Sequence, residues 1–335
     1  MTRSSLLART LSGPILALAT IAGLVSTTAP SLAADTVTLR LDFLPSGYHA
    51  PLFLGVARGL YAKQDLDLKI ADGRGTNATL QAVASGNDMV GIGNYSTMVQ
   101  AVGQGMPVVG IGGLIQRLPD SIIAPLGSGI KTPKDLEGKS MSIPPTSAVF
   151  KLFPAFASAA GIDIAKIRLV QMDPGATSAA MLQGQVNFTT GWAFTDALRI
   201  AKQRPIEPPM LMSDYGINVL GAGFIVTRNT ASTKADQLKR FMAATATSFD
   251  QGIKEPDAAI AAMFVARPEV DKDLLLEQLK RLSPFLQTER SKGRVFGWTA
   301  REDWEQTVEL LQKYFDLKER VDVAGLYTTD LLPAR

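Results

Sequence analysis

From Thr36 onward the chain alternates strand-like and helix-like runs, and this alternation constrains the fold more than any other feature. Thr36–Phe43 switches between apolar and polar positions as a strand does, whereas Pro51–Leu60 carries apolar residues at helical spacing. Leu66–Ile70, Met89–Ile92 and Val108–Gly112 read as further strands, with helices over Thr76–Ser85 and Ser96–Gly103 between them. Thr76 has the side chain of an N-cap and Gly86 that of a C-terminal stop. Strands separated by helices of about ten residues pair in parallel through right-handed crossovers.

Gly127, Gly129, Thr132 and Pro133 mark a change of unit, after which a second series starts. Its strands are Ser140–Ile143, Arg168–Met172 and Phe188–Thr190, and its helices Ser147–Ala159, Ala176–Leu182 and Asp196–Lys202. Gly221–Thr227 leads back as a strand, and residues 236–254, 256–266, 271–282 and 301–315 then show helical periodicity. Thr299–Glu302 (TARE) has the form of a capping box for the last of these. A chain of 335 residues exceeds what one core serves well. The expected fold is therefore α/β with two lobes, each a mainly parallel sheet flanked by helices. Residues 35–124 begin the first lobe, 125–222 form the second, and 223–335 complete the first. Chain crossings near 120–126 and 221–227 make a two-crossing hinge with a ligand cleft between the lobes.

The first 34 residues read as a signal peptide. Arg3 and Arg9 precede a short apolar stretch, Ile15–Val25, and small residues surround a cleavage point near Ala33 or Ala34. Pro14, Ser26 and Pro30 interrupt that stretch, which is shorter than the ~20 apolar residues a membrane span needs. With no cysteine there is neither a disulfide nor a lipid anchor at the cleavage site. The expected location is the periplasm. Charge is nearly balanced, 34 Lys and Arg against 31 Asp and Glu, which excludes the basic footprint of a nucleic-acid-binding protein.

In parallel sheets ligands bind beyond the carboxyl ends of the strands. The loops there supply the candidate ligand-binding residues: Tyr48, His49, Arg74, Asn94, Tyr95, Thr146, Ser147, Asp173, Trp192 and Tyr215. Arg117, near the first crossing, is a further candidate partner for an anion. Aromatic faces stack on a planar ring, and hydroxyls and helix-start N–H groups bond its polar substituents. That composition points to a planar solute rather than a sugar or peptide. Catalysis fares poorly. One histidine and no cysteine leave no transition-metal site on those ligands. No Gly-x-Ser-x-Gly elbow, dinucleotide fingerprint or P-loop occurs. No cofactor, metal or catalytic residue is expected.

The run Leu41–Pro45 (LDFLP), then His49–Pro51, Gly59–Tyr61 and Leu66–Ile70 (LDLKI) resembles the opening of a known family. It unites alkanesulfonate-, taurine-, nitrate- and thiamine-pyrimidine-binding proteins with fungal pyrimidine synthase. Val83–Gly86 with Asp88 and Gly91, Asp135–Lys139, Tyr215–Asn218, and Gly297-Trp298 with Trp304 extend the resemblance over residues 37–315. Asp65 stands where the family usually has glycine. The resemblance implies a type II periplasmic-binding fold and the permease of an ABC importer as partner, with a monomer the expected state. Tyr48-His49 and Tyr215–Asn218 are closer to the pyrimidine-type branch, whose members bind thiamine precursors. His49 matches the histidine that the fungal synthase consumes, but the cysteine-rich segment of that enzyme is missing. A ligand sensor docking on a receptor is the alternative binding role.

Overall fold

The computed structural model describes residues 34–145, 147–315, 317 and 321–334. The expected leader lies outside them apart from Ala34, as does Thr146. The chain proceeds through β1 (Asp35–Arg40), α1 (Ala50–Ala57), β2 (Leu66–Ala71), α2 (Thr76–Ala84), β3 (Val90–Asn94), α3 (Tyr95–Gly103) and β4 (Val108–Gly113). It continues through β5 (Asp120–Ile123), β6 (Ser140–Ile143), α4 (Ala148–Ala159), β7 (Arg168–Gln171), α5 (Pro174–Leu182), β8 (Phe188–Trp192), α6 (Asp196–Ala201) and β9 (Met210–Leu211). Then come β10 (Ala222–Thr227), α7 (Arg228–Thr233), α8 (Ala235–Lys254), α9 (Pro256–Ala266), α10 (Lys272–Lys280) and α11 (Arg301–Tyr314).

Two five-stranded sheets result, ordered β2-β1-β3-β10-β4 and β7-β6-β8-β5-β9. The βα-connected strands pair in parallel, β1 with β2 and β3, and β6 with β7 and β8. The strands that arrive from the other sheet, β10 and β5, run antiparallel to both neighbours, so each sheet is mixed. Sheet membership changes between Gly113 and Asp120, earlier than the expected crossing at 120–126, because Asp120–Ile123 is itself a strand of the second sheet. The return falls between Leu211 and Ala222. The Gly127–Gly129 cluster is thus a turn inside the second lobe.

The two connections are laced together. Asn218 Oδ1 accepts the Leu118 N–H at 2.7 Å, and its Nδ2 donates to the Gln116 carbonyl at 3.2 Å. The Gly221 N–H donates to the Ile115 carbonyl at 2.9 Å. A second bridge is apolar, since α11 packs on α3 of the first lobe and α4 of the second. Trp304, fully buried on α11, tilts against Tyr95 at 4.5 Å and stacks on Tyr327 at 5.0 Å. Its indole N–H donates to Thr299 Oγ1 at 2.9 Å. Thr299 therefore serves Trp304 and not the expected capping box, and Ala300 occupies the N-cap without a side-chain bond. Asp65 adopts φ 52°, the left-handed conformation that glycine enters without cost and that aspartate tolerates better than most residues. The departure from the family pattern thus keeps the backbone that the glycine provides.

Candidate functional site

On the first lobe the site is built around one carboxylate. The chain leaves β1 at Leu41, and Asp42 follows with 8% exposure. The Tyr48 hydroxyl donates to both its oxygens, at 2.9 and 2.7 Å. His49 Nε2 lies 3.0 Å from Asp42 Oδ1, and His49 Nδ1 accepts the Ser46 N–H at 3.1 Å. Because Nδ1 accepts, Nε2 carries the proton and donates it to Asp42. Burial first, then the Asp42 charge and hydrogen bond, push the Tyr48 phenol well above its ordinary range. Tyr48 and His49 were expected to bond a ligand. Both are buried, at 3% and 0% exposure, and their polar atoms are engaged within this triad. The Tyr48 ring belongs to the first-lobe core, at its border with the second lobe.

Facing that ring is the cleft end of β8. Trp192 is half-buried, with its indole 6.1 Å from the Tyr48 ring and tilted by 48°. Two residues on, Phe194 leaves the second lobe and is fully buried in the first-lobe core, 5.0 Å from Phe285 and 6.1 Å from Tyr48. The lobes therefore touch through an aromatic plug. Asp196, opening α6, holds the loop by accepting the Trp192 N–H at 2.9 Å.

Asp120 pairs directly with Trp192 across the antiparallel β5–β8 ladder. It is 7% exposed, and its carboxylate has no hydrogen bond or ion pair among the described residues. Burial, reinforced by the Asp196 charge, raises its pKa to about 7. The sequence reading missed this residue, since an aspartate after a proline looks like a surface turn; the apolar pair Ile122-Ile123 that follows is the hint of a buried strand. Gln116, on the first connection, is 2% exposed, and its Oε1 has no partner among the described atoms.

The other expected residues divide. Asn94 caps α3, accepting from the Ser96 N–H at 3.0 Å, and Ser147 caps α4, accepting from the Phe150 N–H at 3.2 Å. Between these caps lies a polar cavity of about 420 Å³ lined by Asn77, Ser96, Gln100, Ser147, Lys151 and Phe315. Tyr95 belongs to the core instead: it is 1% exposed, and its hydroxyl donates to the Gly112 carbonyl at 2.7 Å. It fills space left by Gly223, where a Cβ would lie 2.1 Å from the ring. Tyr215 packs edge-on against Phe156 at 5.4 Å. Arg74 and Asp173 are exposed in their loops. Arg117 forms an ion pair with Asp214, which pins the first connection to the second lobe. Among the described residues no group of three or more His, Asp or Glu is placed to hold a metal ion.

This fold is that of the two-lobed periplasmic binding proteins. The Escherichia coli periplasmic aliphatic sulphonate-binding protein SsuA superposes with TM-score 0.69 at 15% identity, over 87% of this chain and 91% of SsuA. The family model described as NMT1/THI5 like matches residues 46–259, and the chain belongs to that family. Among its curated relatives is the riboflavin-binding protein RibY of Chloroflexus aurantiacus, 23% identical over 310 residues, covering 89% of this chain and 86% of RibY. Another is the 4-amino-5-hydroxymethyl-2-methylpyrimidine phosphate synthase of Legionella pneumophila, 24% identical over 311 residues, covering 91% and 95%.

Proposed function

We propose that the chain is the solute-binding subunit of an ABC importer, exported by the leader over residues 1–34 and acting in the periplasm as a monomer. It captures a planar nitrogen heterocycle in the interlobe cleft and delivers it to the permease. The observation that carries this reading is the half-buried Trp192 indole set against the Tyr48 ring at the meeting of the lobes. Family membership supports it, since riboflavin and the hydroxymethylpyrimidine named for the two relatives share a pyrimidine ring.

The synthase relative motivates a second reading, an enzyme that draws on its own histidine. It is disfavoured because both His49 nitrogens are engaged and the ring has no exposed surface. Tryptophan fluorescence during titration with riboflavin, 4-amino-5-hydroxymethyl-2-methylpyrimidine and taurine tests capture. Saturable quenching by one heterocycle, with the intact-protein mass unchanged, is expected. Loss of mass at His49 would establish the enzyme reading. A folded protein that binds none of the three would end the capture reading.

A further inference from the structure

We infer that the groove beside Glu207 is a second ligand site, one that takes a primary ammonium ion carrying a small apolar body. This goes beyond the capture reading and does not depend on which solute the cleft takes. The groove is a cavity of about 630 Å³ where the lobes meet. One wall comes from α6 and residues 206–211, the other from the end of α10 with Pro284 and Phe285. Phe194, Leu198, Ile206, Leu211, Pro284 and Phe285 make the lining apolar, and neither Tyr48 nor Trp192 is part of it. Its volume is that of a small-molecule site.

One acid stands in this lining. Glu207 is 7% exposed, and its Oε1 accepts the Gly127 N–H at 2.8 Å. Among the described residues its Oε2 has no hydrogen bond, and no Lys or Arg stands within ion-pair distance of either oxygen. A carboxylate taken out of water with part of its accepting capacity unused is costly, and a donor carrying positive charge offsets that cost best. An ammonium group brings three such donors on one small head. The rings of Phe194 and Phe285 then receive the apolar body, and an aromatic body gains from stacking on them.

Three cations also line the groove, Arg117, Lys280 and Arg281, and their depth decides between a cationic and an anionic ligand. Their side chains are between 33% and 50% exposed, and each already holds an acid. Arg117 pairs with Asp214, and Lys280 and Arg281 share Glu277. Exposed charges of this kind are screened by water and salt, whereas a contact with the buried Glu207 is not. The unmet group is the acid, so the groove selects a cation. Because both lobes supply its walls, an occupied groove favours the arrangement in which they meet.

Calorimetric titration of the purified protein at neutral pH tests this with 2-phenylethylamine, uncharged 2-phenylethanol and anionic 3-phenylpropanoate. The amine is expected to bind wild type tighter than either analogue by about tenfold or more, the value of a charge-assisted hydrogen bond. Glu207→Gln keeps an acceptor for the Gly127 N–H and should remove that preference. Leu198→Trp fills the groove with Glu207 in place and should abolish amine binding, whereas Trp192→Ala should leave it unchanged. Equal affinity for the amine and the alcohol in wild type, which needs no variant, would overturn the inference. So would tighter binding of the acid, which would assign the groove to its exposed cations. Amine binding that Trp192→Ala weakens and Glu207→Gln spares would place the amine in the cleft and overturn it too. A folded protein that binds none of the three would end this proposal and leave the capture reading standing.

Discussion

Replacing Asp120 by asparagine should stabilise the ligand-free protein, and by an amount that depends on pH in a known direction. The carboxyl pKa is raised from its ordinary value near 3.8 to about 7, chiefly by burial and then by the Asp196 charge. The folded state therefore holds the proton between those values while the unfolded state releases it, so stability falls as pH rises through that window. Below pH 4 both states are protonated and the penalty is absent; above pH 7 it is fully present. At ~1.4 kcal/mol per unit, the full penalty is roughly 4 kcal/mol. The replacement amide is itself buried without a partner, which costs about 1–3 kcal/mol, so the net gain at pH 8 is on the order of 2 kcal/mol. For a chain of this size that is roughly 3–6 °C in melting temperature. Asp196 keeps its ion pair with Arg199. Differential scanning calorimetry of wild type and variant from pH 4 to pH 8 reads the difference directly, since groups common to both cancel. A gap that stays constant over this range, or that shrinks toward pH 8, would show that Asp120 is solvated or paired in the folded protein and would refute the reasoning.

Trp192→Ala should weaken heterocycle binding by about 5- to 150-fold, the equivalent of roughly 1–3 kcal/mol, with the ligand-free melting temperature shifted little, because the indole is only half-buried. His49→Ala should instead destabilise the fold by about 2–4 kcal/mol in urea titration, since it empties a fully buried site and leaves Asp42 and the Ser46 N–H short of a partner. Phe194→Ala removes the second-lobe ring from the first-lobe core and should cost about 3–5 kcal/mol, with a larger ligand-free radius of gyration in small-angle scattering as the lobes part. Asn218→Ala cuts both side-chain bonds between the connections and should lower the melting temperature in differential scanning calorimetry.

The βα alternation was legible because each unit presents a clean period. Ser140–Ile143 and the helix ending at Ala159 match the expected spans, and α9 matches over 256–266. The crossing strand was not legible. Asp120–Ile123 is buried at every position, so it shows no alternation, and four residues are too few to separate a strand from a connection. Tyr95 looked like a loop aromatic because sequence shows neither the glycines that make room for it, Gly110 and Gly223, nor the carbonyl that takes its hydroxyl. The capping-box pattern at Thr299 lost to a tertiary partner, the Trp304 indole. Asp120 was hidden for a deeper reason: what distinguishes it is the lack of a partner, and partners come from elements distant in sequence.

The two acids near the meeting of the lobes, Asp42 and Asp120, differ in how they are satisfied. Asp42 saturates itself on Tyr48 and His49, which locks the histidine in one tautomer, buried and out of reach of a reagent. Chemistry on that histidine needs those bonds broken and the ring exposed, at the expense of the very contacts that support the Tyr48 face. Asp120 is the converse, a largely buried carboxyl with no hydrogen bond or ion pair among the described residues. Under the capture reading, a donor that reached Asp120 would recover part of the cost of burying its charge. The engaged, buried His49 is the feature that sets the capture reading above the enzyme reading.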